Sequence, residues 1–255
     1  MESSAHHLAA IAALTVLAGC DGASSQHPAP ASPPPTAPAL PPIEVYSARS
    51  DGMLVKLDLV NERVTPLYRL AIESTELTSI IELDDQLMSC PRDGTKRRLT
   101  AIDLETGQID PRYKSCDAVT TDGERVWLWV PSGTGGPRLE LFVNGATLRT
   151  GSAPNDTVYL EGDKVRAFAA GDGRLFASAG NDRIVAIDPE TGKASELPVA
   201  IDDSIDGLAA TRTRLYVAGN GVRVYDLATE GLVRTLFAGQ SFYGLTQARR
   251  APAAR

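Results

Sequence analysis

The part of this chain that can fold into a globular body has no histidine. Of its three histidines, His6 and His7 precede an apolar N-terminal segment and His27 lies in a proline-rich stretch. Imidazole is therefore missing as an acid–base group, as the activator of a serine or cysteine nucleophile, and as a metal ligand. The sequence predicts no catalytic residue, no metal site and no cofactor.

An excess of positive charge is missing as well. Removing residues 1–19 takes away one charged residue, Glu2, and leaves 25 basic and 31 acidic residues, a net charge of −6. This balance excludes an extended basic surface for nucleic acid and a polybasic segment for anionic lipid.

Long apolar runs are limited to the N-terminus, where residues 8–19 read LAAIAALTVLAG. This length suits the core of a signal peptide and is short for a transmembrane helix. The run ends in Leu17-Ala18-Gly19-Cys20, which resembles the lipobox of bacterial lipoproteins, although the segment before it has no Lys or Arg. The resemblance implies cleavage after residue 19 and acylation of Cys20, which anchors the chain to a membrane of the cell envelope. The alternative is ordinary secretion with an incidental cysteine.

Residue Asp21 resembles the inner-membrane retention signal of enterobacterial lipoproteins and slightly favours that membrane. Residues 20–42 are rich in Pro, Ala and Ser and have almost no charge. Such a composition favours an extended tether that holds a domain away from the membrane. The same stretch could also serve as a ligand for a proline-binding groove.

Residues 43–247 alternate short β-rich runs with Gly, Asp and Asn turns, and no helical periodicity extends over ten residues. One motif recurs five times, as MLVKLDLVNERV, RLTAIDLETGQI, RLELFVNGATL, RIVAIDPETGKA and VRVYDLATEGLV. Its aligned positions, Asp58, Asp103, Asn144, Asp188 and Asp226, are spaced by 45, 41, 44 and 38 residues. This period is that of a four-stranded propeller blade, whose strands are named A to D from the channel outward.

The sequence supplies five B strands but only four A strands upstream of them. The C-terminal segment 242–247, FYGLTQ, resembles an A strand and has no B strand after it. We therefore expect an all-β, five-bladed β-propeller over 43–247 that is closed by its C-terminal strand, followed by a flexible tail, 248–255.

The segments LYVAGN, 215–220, and LFASAGNDRIVAIDPETG, 175–192, resemble the YVTN-type and pyrroloquinoline-quinone-like repeats of secreted bacterial propellers. This resemblance implies the fold and leaves the activity open, because such repeats occur in enzymes, scaffolds and binding proteins.

Most polar residues of the repeats have structural interpretations. The repeated Asp and the Asp-Gly pairs at 51, 93, 122, 172 and 206 are typical of turns, and each repeat has too few clustered oxygens for calcium. Trp127 and Trp129 are expected to fill the space between blades. The pairs Asp84-Asp85 and Asp202-Asp203 are the carboxylates that glycoside cleavage would need, but turns explain them more simply.

Two cysteines remain once Cys20 is assigned to lipid. Cys90 ends the B strand of the second blade and Cys116 starts the A strand of the third, so both fall on the same face. An even pair in an oxidising compartment predicts a disulfide that joins adjacent blades.

That face carries the B-to-C and D-to-A connections, including 110–115, 131–137 and 151–163, and is called the loop face below. It is the expected binding surface for a protein or other envelope ligand. The candidate contact residues are Arg112, Tyr113, Arg138, Asn155, Tyr159, Asp203 and Tyr243.

The sequence therefore favours a lipid-anchored envelope protein with a non-catalytic binding or scaffold module. One alternative is a carboxylate-based enzyme, a hydrolase or a glutaminyl-cyclase-like protein, with its site in the central funnel. The other is a degenerate propeller that acts only as a spacer.

Overall fold

Nearly all regular structure in this chain is β-strand. The computed structural model describes residues 43–93, 96–133, 136–142, 154, 156–159 and 165–248. Within these ranges the helical structure is a single turn of 3₁₀ helix, Ser74–Glu76. The strands, in chain order, are β1 Glu44–Arg49, β2 Met53–Asp58, β3 Arg63–Arg69, β4 Ile80–Leu83, β5 Gln86–Ser89, β6 Arg92–Asp93, β7 Lys96–Asp103, β8 Ile109–Ser115, β9 Ala118–Thr121, β10 Val126–Gly133, β11 Gly136–Phe142, β12 Asp156–Tyr159, β13 Phe168–Gly171, β14 Arg174–Ala179, β15 Arg183–Ile187, β16 Ala194–Glu196, β17 Gly207–Ala210, β18 Arg214–Asp226 and β19 Leu232–Gln247.

These strands form antiparallel sheets in which sequence neighbours pair. One sheet has the order β13-β14-β15-β16 and another the order β12-β11-β10-β9, while β4, β5, β7, β6 and β8 make a third. The fourth sheet has six strands in the order β17-β18-β19-β1-β2-β3. An all-β chain built of consecutive antiparallel strands is thus what the repeat predicted.

The six-stranded sheet results from two long strands. The first half of β18 pairs with β17, and its second half pairs with the first part of β19. Gly221, with φ +101, lies between the two halves of β18, in a conformation that side chains rarely adopt. The last part of β19 then pairs with β1, so that Phe242 faces Arg49 and Gln247 faces Val45.

Five segments at the edges of these sheets also contact one another across sheets. They are β4, β9, β13, β17 and residues 242–247 of β19, and they are called the inner strands below. β4 contacts β9, β9 contacts β13, β13 contacts β17, β17 contacts β19, and β19 contacts β4. This order of contacts returns to its starting strand.

Hydrophobic side chains are buried in five clusters. Each cluster joins two consecutive groups of strands, because strands with both faces covered present apolar side chains on both sides. Trp127 and Trp129 are 2% and 4% exposed and pack with Phe168 in one such cluster. Both tryptophans therefore have the core role that the sequence predicted.

Side-chain hydrogen bonds fix the inner strands to one another. The Ser79 hydroxyl donates to the carbonyl of Val119 at 2.6 Å, and the Gln247 amide donates to the carbonyl of Ala210 at 2.6 Å. The Thr78 hydroxyl donates to the carbonyl of Arg166 at 2.7 Å. The Thr78–Arg166 bond connects the residue before β4 with the residue before β13. Since β9 lies between these two strands, the bond spans the loop-face end of the inner strands.

Candidate functional site

A cavity of about 320 Å³ lies among the inner strands, toward the end at which β9, β13 and β17 continue into turns. This end, with the A-to-B and C-to-D turns, is called the turn face below. All five inner strands contribute to the lining of this cavity. The lining residues are Ile80, Ile81, Thr120, Thr121, Asp122, Phe168, Ala169, Ala170, Gly171, Asp172, Leu208, Ala209, Ala210, Thr211, Arg212, Leu245, Thr246 and Gln247.

The two carboxylates of this cavity are held by neighbouring groups. Asp122 accepts hydrogen bonds from the backbone amides of Glu124 at 3.0 Å and Arg125 at 2.9 Å, and it forms an ion pair with Arg125 at 3.0 Å. Asp172 lies 3.8 Å from the Arg174 guanidinium. Asp122 therefore caps its own turn.

Arg212 differs from the other charged groups of the cavity. Its side chain is exposed and forms no ion pair with any residue that the structure describes. It also borders an adjacent recess of about 280 Å³, together with Asp172 and the Arg214–Asp226 ion pair. The cavity can therefore present hydroxyl, amide and guanidinium groups to a small polar ligand.

No pattern in the sequence selects these cavity residues. The sequence predicts Asp122 and Asp172 only as members of Asp-Gly turns, and both do lie in A-to-B turns. The placement of Arg212 in the same cavity depends on the packing of neighbouring sheets. The only sequence feature that could have indicated this cavity is that all the A strands end on the same face.

The proposed contact residues of the loop face are dispersed. Arg112 pairs with Asp110 at 3.1 Å on β8, and Arg138 pairs with Glu140 at 2.9 Å on β11. Asp203 is exposed and accepts a hydrogen bond from the Ser204 amide at 2.7 Å, while Tyr243 packs at the edge of a hydrophobic cluster. The structure brings Arg112 and Arg138 toward one sheet interface through Lys114, which lies 2.8 Å from Glu140.

Three further predicted residues can be placed only in part or not at all. Tyr113 lies in β8 and Tyr159 in β12, but their side chains are outside the described residues, as is the whole of Asn155. Cys20, with the signal peptide and the tether, also falls outside the described ranges. Their roles remain predictions.

The cysteine prediction is confirmed. Cys90 and Cys116 form a disulfide with their Cα atoms 5.7 Å apart. The bond joins Cys90, which follows β5, to Cys116, which comes shortly before β9. Both cysteines belong to the hydrophobic cluster between these two sheets.

Arg97 connects this disulfide to the connection between β3 and β4. Its guanidinium donates to the carbonyl of Cys90 at 3.0 Å and to the Glu76 carboxylate at 2.8 Å. Its own carbonyl accepts a hydrogen bond from the Cys116 amide at 3.4 Å. Sequence reasoning missed this arginine, because Glu76 and Arg97 lie on segments whose approach depends on the tertiary fold.

The repeated aspartates have the turn role that was predicted. The Oδ1 atoms of Asp58, Asp103, Asp188 and Asp226 each accept hydrogen bonds from the backbone amides two and three residues later. In Asp188 these bonds, to Thr191 and Glu190, hold the pKa of the carboxyl below its usual value. Hydrogen bonds to the charged form explain the same direction of the pKa shift in the other three.

The acidic pairs lie in a turn or a connecting segment, and Asp202-Asp203 is exposed in the segment between β16 and β17. Asp84 and Asp85 have φ 49 and φ 60 in the tight connection between β4 and β5. Among the described residues, no group of three or more His, Cys, Asp or Glu is placed to hold a metal ion. In the same residues, no helix has the length and apolar character needed to cross a bilayer.

No protein-family model and no curated protein matches the sequence. Among solved structures, the chain is similar to a chain of a nidogen/laminin complex, with 13% identity and a TM-score of 0.49 over 81% of this chain and 98% of that one. It is also similar to the glutaminyl cyclase of Myxococcus xanthus, with 15% identity and a TM-score of 0.46 over 68% of this chain and 72% of the cyclase.

Proposed function

We propose that this chain is a lipid-anchored protein of the bacterial cell envelope whose five-bladed β-propeller is a non-catalytic binding or scaffold module. The contacts among the inner strands support the ring, since they run through five strands and return from β19 to β4. The five hydrophobic clusters support five blades, because each cluster lies between two consecutive strand groups.

The anchor and the location rest on the sequence. Leu17-Ala18-Gly19-Cys20 makes Cys20 the acylated residue, and Asp21 favours the inner membrane. The Cys90–Cys116 disulfide fits an oxidising compartment. Cells fed a radiolabelled fatty acid should incorporate the label into the wild-type chain and not into a Cys20→Ser variant. Equal labelling of both chains would rule out the anchor.

Binding without catalysis is favoured by one observation about the cavity. Its carboxylates, Asp122 and Asp172, each lie beside an arginine, and Asp122 also accepts two backbone hydrogen bonds. Groups held in this way preserve the geometry of the turns, whereas a catalytic acid or base must lie within hydrogen-bond reach of the substrate atom that it serves.

The binding role can be tested with a photo-crosslinking amino acid in living cells. Placed at Arg112 or Asp203 on the loop face, it should yield one common crosslinked partner, which must then bind the purified chain. Placed at Glu190, an exposed residue of the turn face, it should not yield that partner. The same yield from all three positions would contradict recognition through the loop face.

The enzyme alternative is favoured by one feature, the presence of Asp122 and Asp172 in the same cavity. It predicts turnover of a peptide with N-terminal glutamine, or of a glycoside, and loss of that turnover in Asp172→Asn. Such a result would replace the binding module with an enzyme.

A further inference from the structure

Two arginines lie directly opposite each other next to the disulfide. Arg92 of β6 is the cross-strand partner of Arg97 of β7 in a short antiparallel hairpin. Like charges in directly opposed positions destabilise a strand pair. The two strands nevertheless pair here, directly after Cys90, whose position is held by the disulfide.

Arg97 is held rigidly in this position. Its side chain is only 15% exposed, and it donates to the Glu76 carboxylate and to the carbonyl of Cys90. The guanidinium is thus oriented before any ligand arrives, which lowers the entropy lost on binding.

A third arginine approaches from the segment before β13. The Thr78 hydroxyl fixes the carbonyl of Arg166, two residues along the chain from Glu76, while the Arg166 side chain is exposed. Burial lowers the pKa of Arg97, the charges of Glu76 and Asp117 raise it, and those of Arg92 and Arg166 lower it further. All four charged residues therefore lie within electrostatic range of Arg97.

The charges in this group do not balance. Glu76 compensates the charge of Arg97 through an ion pair, and Asp117 lies within electrostatic range of the same guanidinium. Arg92 and Arg166 are exposed and form no ion pair within the described part of the chain. An oxyanion held between these arginines would remove their mutual repulsion.

We propose that Arg92, Arg97 and Arg166 form a binding site for a phosphoryl group on the loop face. Guanidinium groups match phosphate oxygens with paired, charge-assisted hydrogen bonds, and several of them around one oxyanion make a specific site. The site lies at the opposite end of the inner strands from the cavity, and it goes beyond the proposed function because it holds in either a binding protein or an enzyme. The phosphoryl group can belong to a soluble phosphate ester or to a phospholipid headgroup.

Calorimetric titration at constant ionic strength tests this site. A Cys20→Ser chain, which cannot be acylated, is titrated with inorganic phosphate and with vesicles of phosphatidylglycerol in phosphatidylcholine. We expect Arg92→Ala and Arg166→Ala each to weaken binding about tenfold, the value of one charge-assisted hydrogen bond at a partly exposed position. Arg63→Ala removes an exposed arginine from the outer strand β3 and should leave the affinity unchanged.

The two probes separate the two sources of the phosphoryl group. Arginine-dependent binding of inorganic phosphate identifies a soluble ligand, and arginine-dependent binding of vesicles alone identifies a headgroup. The absence of binding to both probes, or an equal loss in Arg63→Ala, would overturn the site. Thermal unfolding of each variant should match that of the parent chain, because neither altered side chain forms an ion pair among the described residues.

Discussion

Gly207 and Gly244 lie backbone to backbone on neighbouring inner strands. A Cβ atom added to Gly207 would lie 2.6 Å from both the Cα and the N of Gly244. The Gly244 amide donates to the carbonyl of Asp206 at 2.8 Å. Glycine usually weakens a strand, but here the absence of two side chains allows β17 and β19 to approach each other.

Gly207→Ala should destabilise the fold. The added methyl group meets backbone atoms that cannot rotate away, and overpacking of this kind costs about 1–3 kcal/mol. Gly231→Ala is the matched control, since its Cβ would meet only the Thr229 hydroxyl, at 3.5 Å. Urea denaturation gives both values. Equal stability of the two variants would contradict the close approach.

The sequence predicted the strands well and their lateral contacts poorly. Strand positions follow from short-range alternation and turn chemistry, which is why β15, Arg183–Ile187, ends directly before the repeated Asp188. The connection between the halves of β18 is so short that both halves belong to one continuous strand.

The disulfide could be predicted from the sequence, whereas the arginine group and the cavity could not, because they depend on contacts between sheets. The Cys90–Cys116 pair could be predicted because the blade repeat places both residues on one face. The electrostatic interaction of Arg166 with Arg97 could not, because the two residues lie on segments far apart in the chain. The residues that line the cavity were likewise not predicted, since they come from five separate segments.

Removing the disulfide should lower stability without changing the fold. The bond closes a loop between residues 26 apart, which corresponds to roughly 3 kcal/mol in the chain-entropy estimate. A Cys90→Ser, Cys116→Ser double variant should lose about this free energy of unfolding. Reductant should destabilise the wild type by a similar amount and leave the double variant unaffected. A wild type that is insensitive to reductant under denaturing conditions would contradict the estimate.

The last part of β19 should be required for folding. Residues 242–247 cover β1, and Phe242 and Leu245 are 0% and 1% exposed. Leu245→Ala should cost about 2–5 kcal/mol, as for other buried leucines. A chain that ends at residue 241 should be insoluble or lack a cooperative thermal transition, because β1 becomes an open sheet edge. A chain that ends at residue 248 is the control and should unfold like the full chain.

Acid should destabilise the protein through its repeated turn aspartates. The pKa of the carboxyl is lowered by folding in Asp58, Asp103, Asp188 and Asp226, chiefly through hydrogen bonds to the charged form. Between the lowered pKa and the usual value of about 3.9, the unfolded chain binds more protons than the native chain. The contribution of these residues is complete above that value and decreases as the pH falls through the native pKa.

Two substitutions at Asp188 separate the turn bonds from the titration. Asp188→Asn keeps an oxygen for the amides of Glu190 and Thr191 but cannot titrate, so its free energy of unfolding should fall less between about pH 5 and about pH 3 than that of the wild type. Asp188→Ala loses the acceptor and should already be less stable at neutral pH. Urea denaturation of all three chains across this range gives the comparison. If Asp188→Ala matches the wild type at neutral pH, the turn bonds contribute nothing and the acid sensitivity must have another origin.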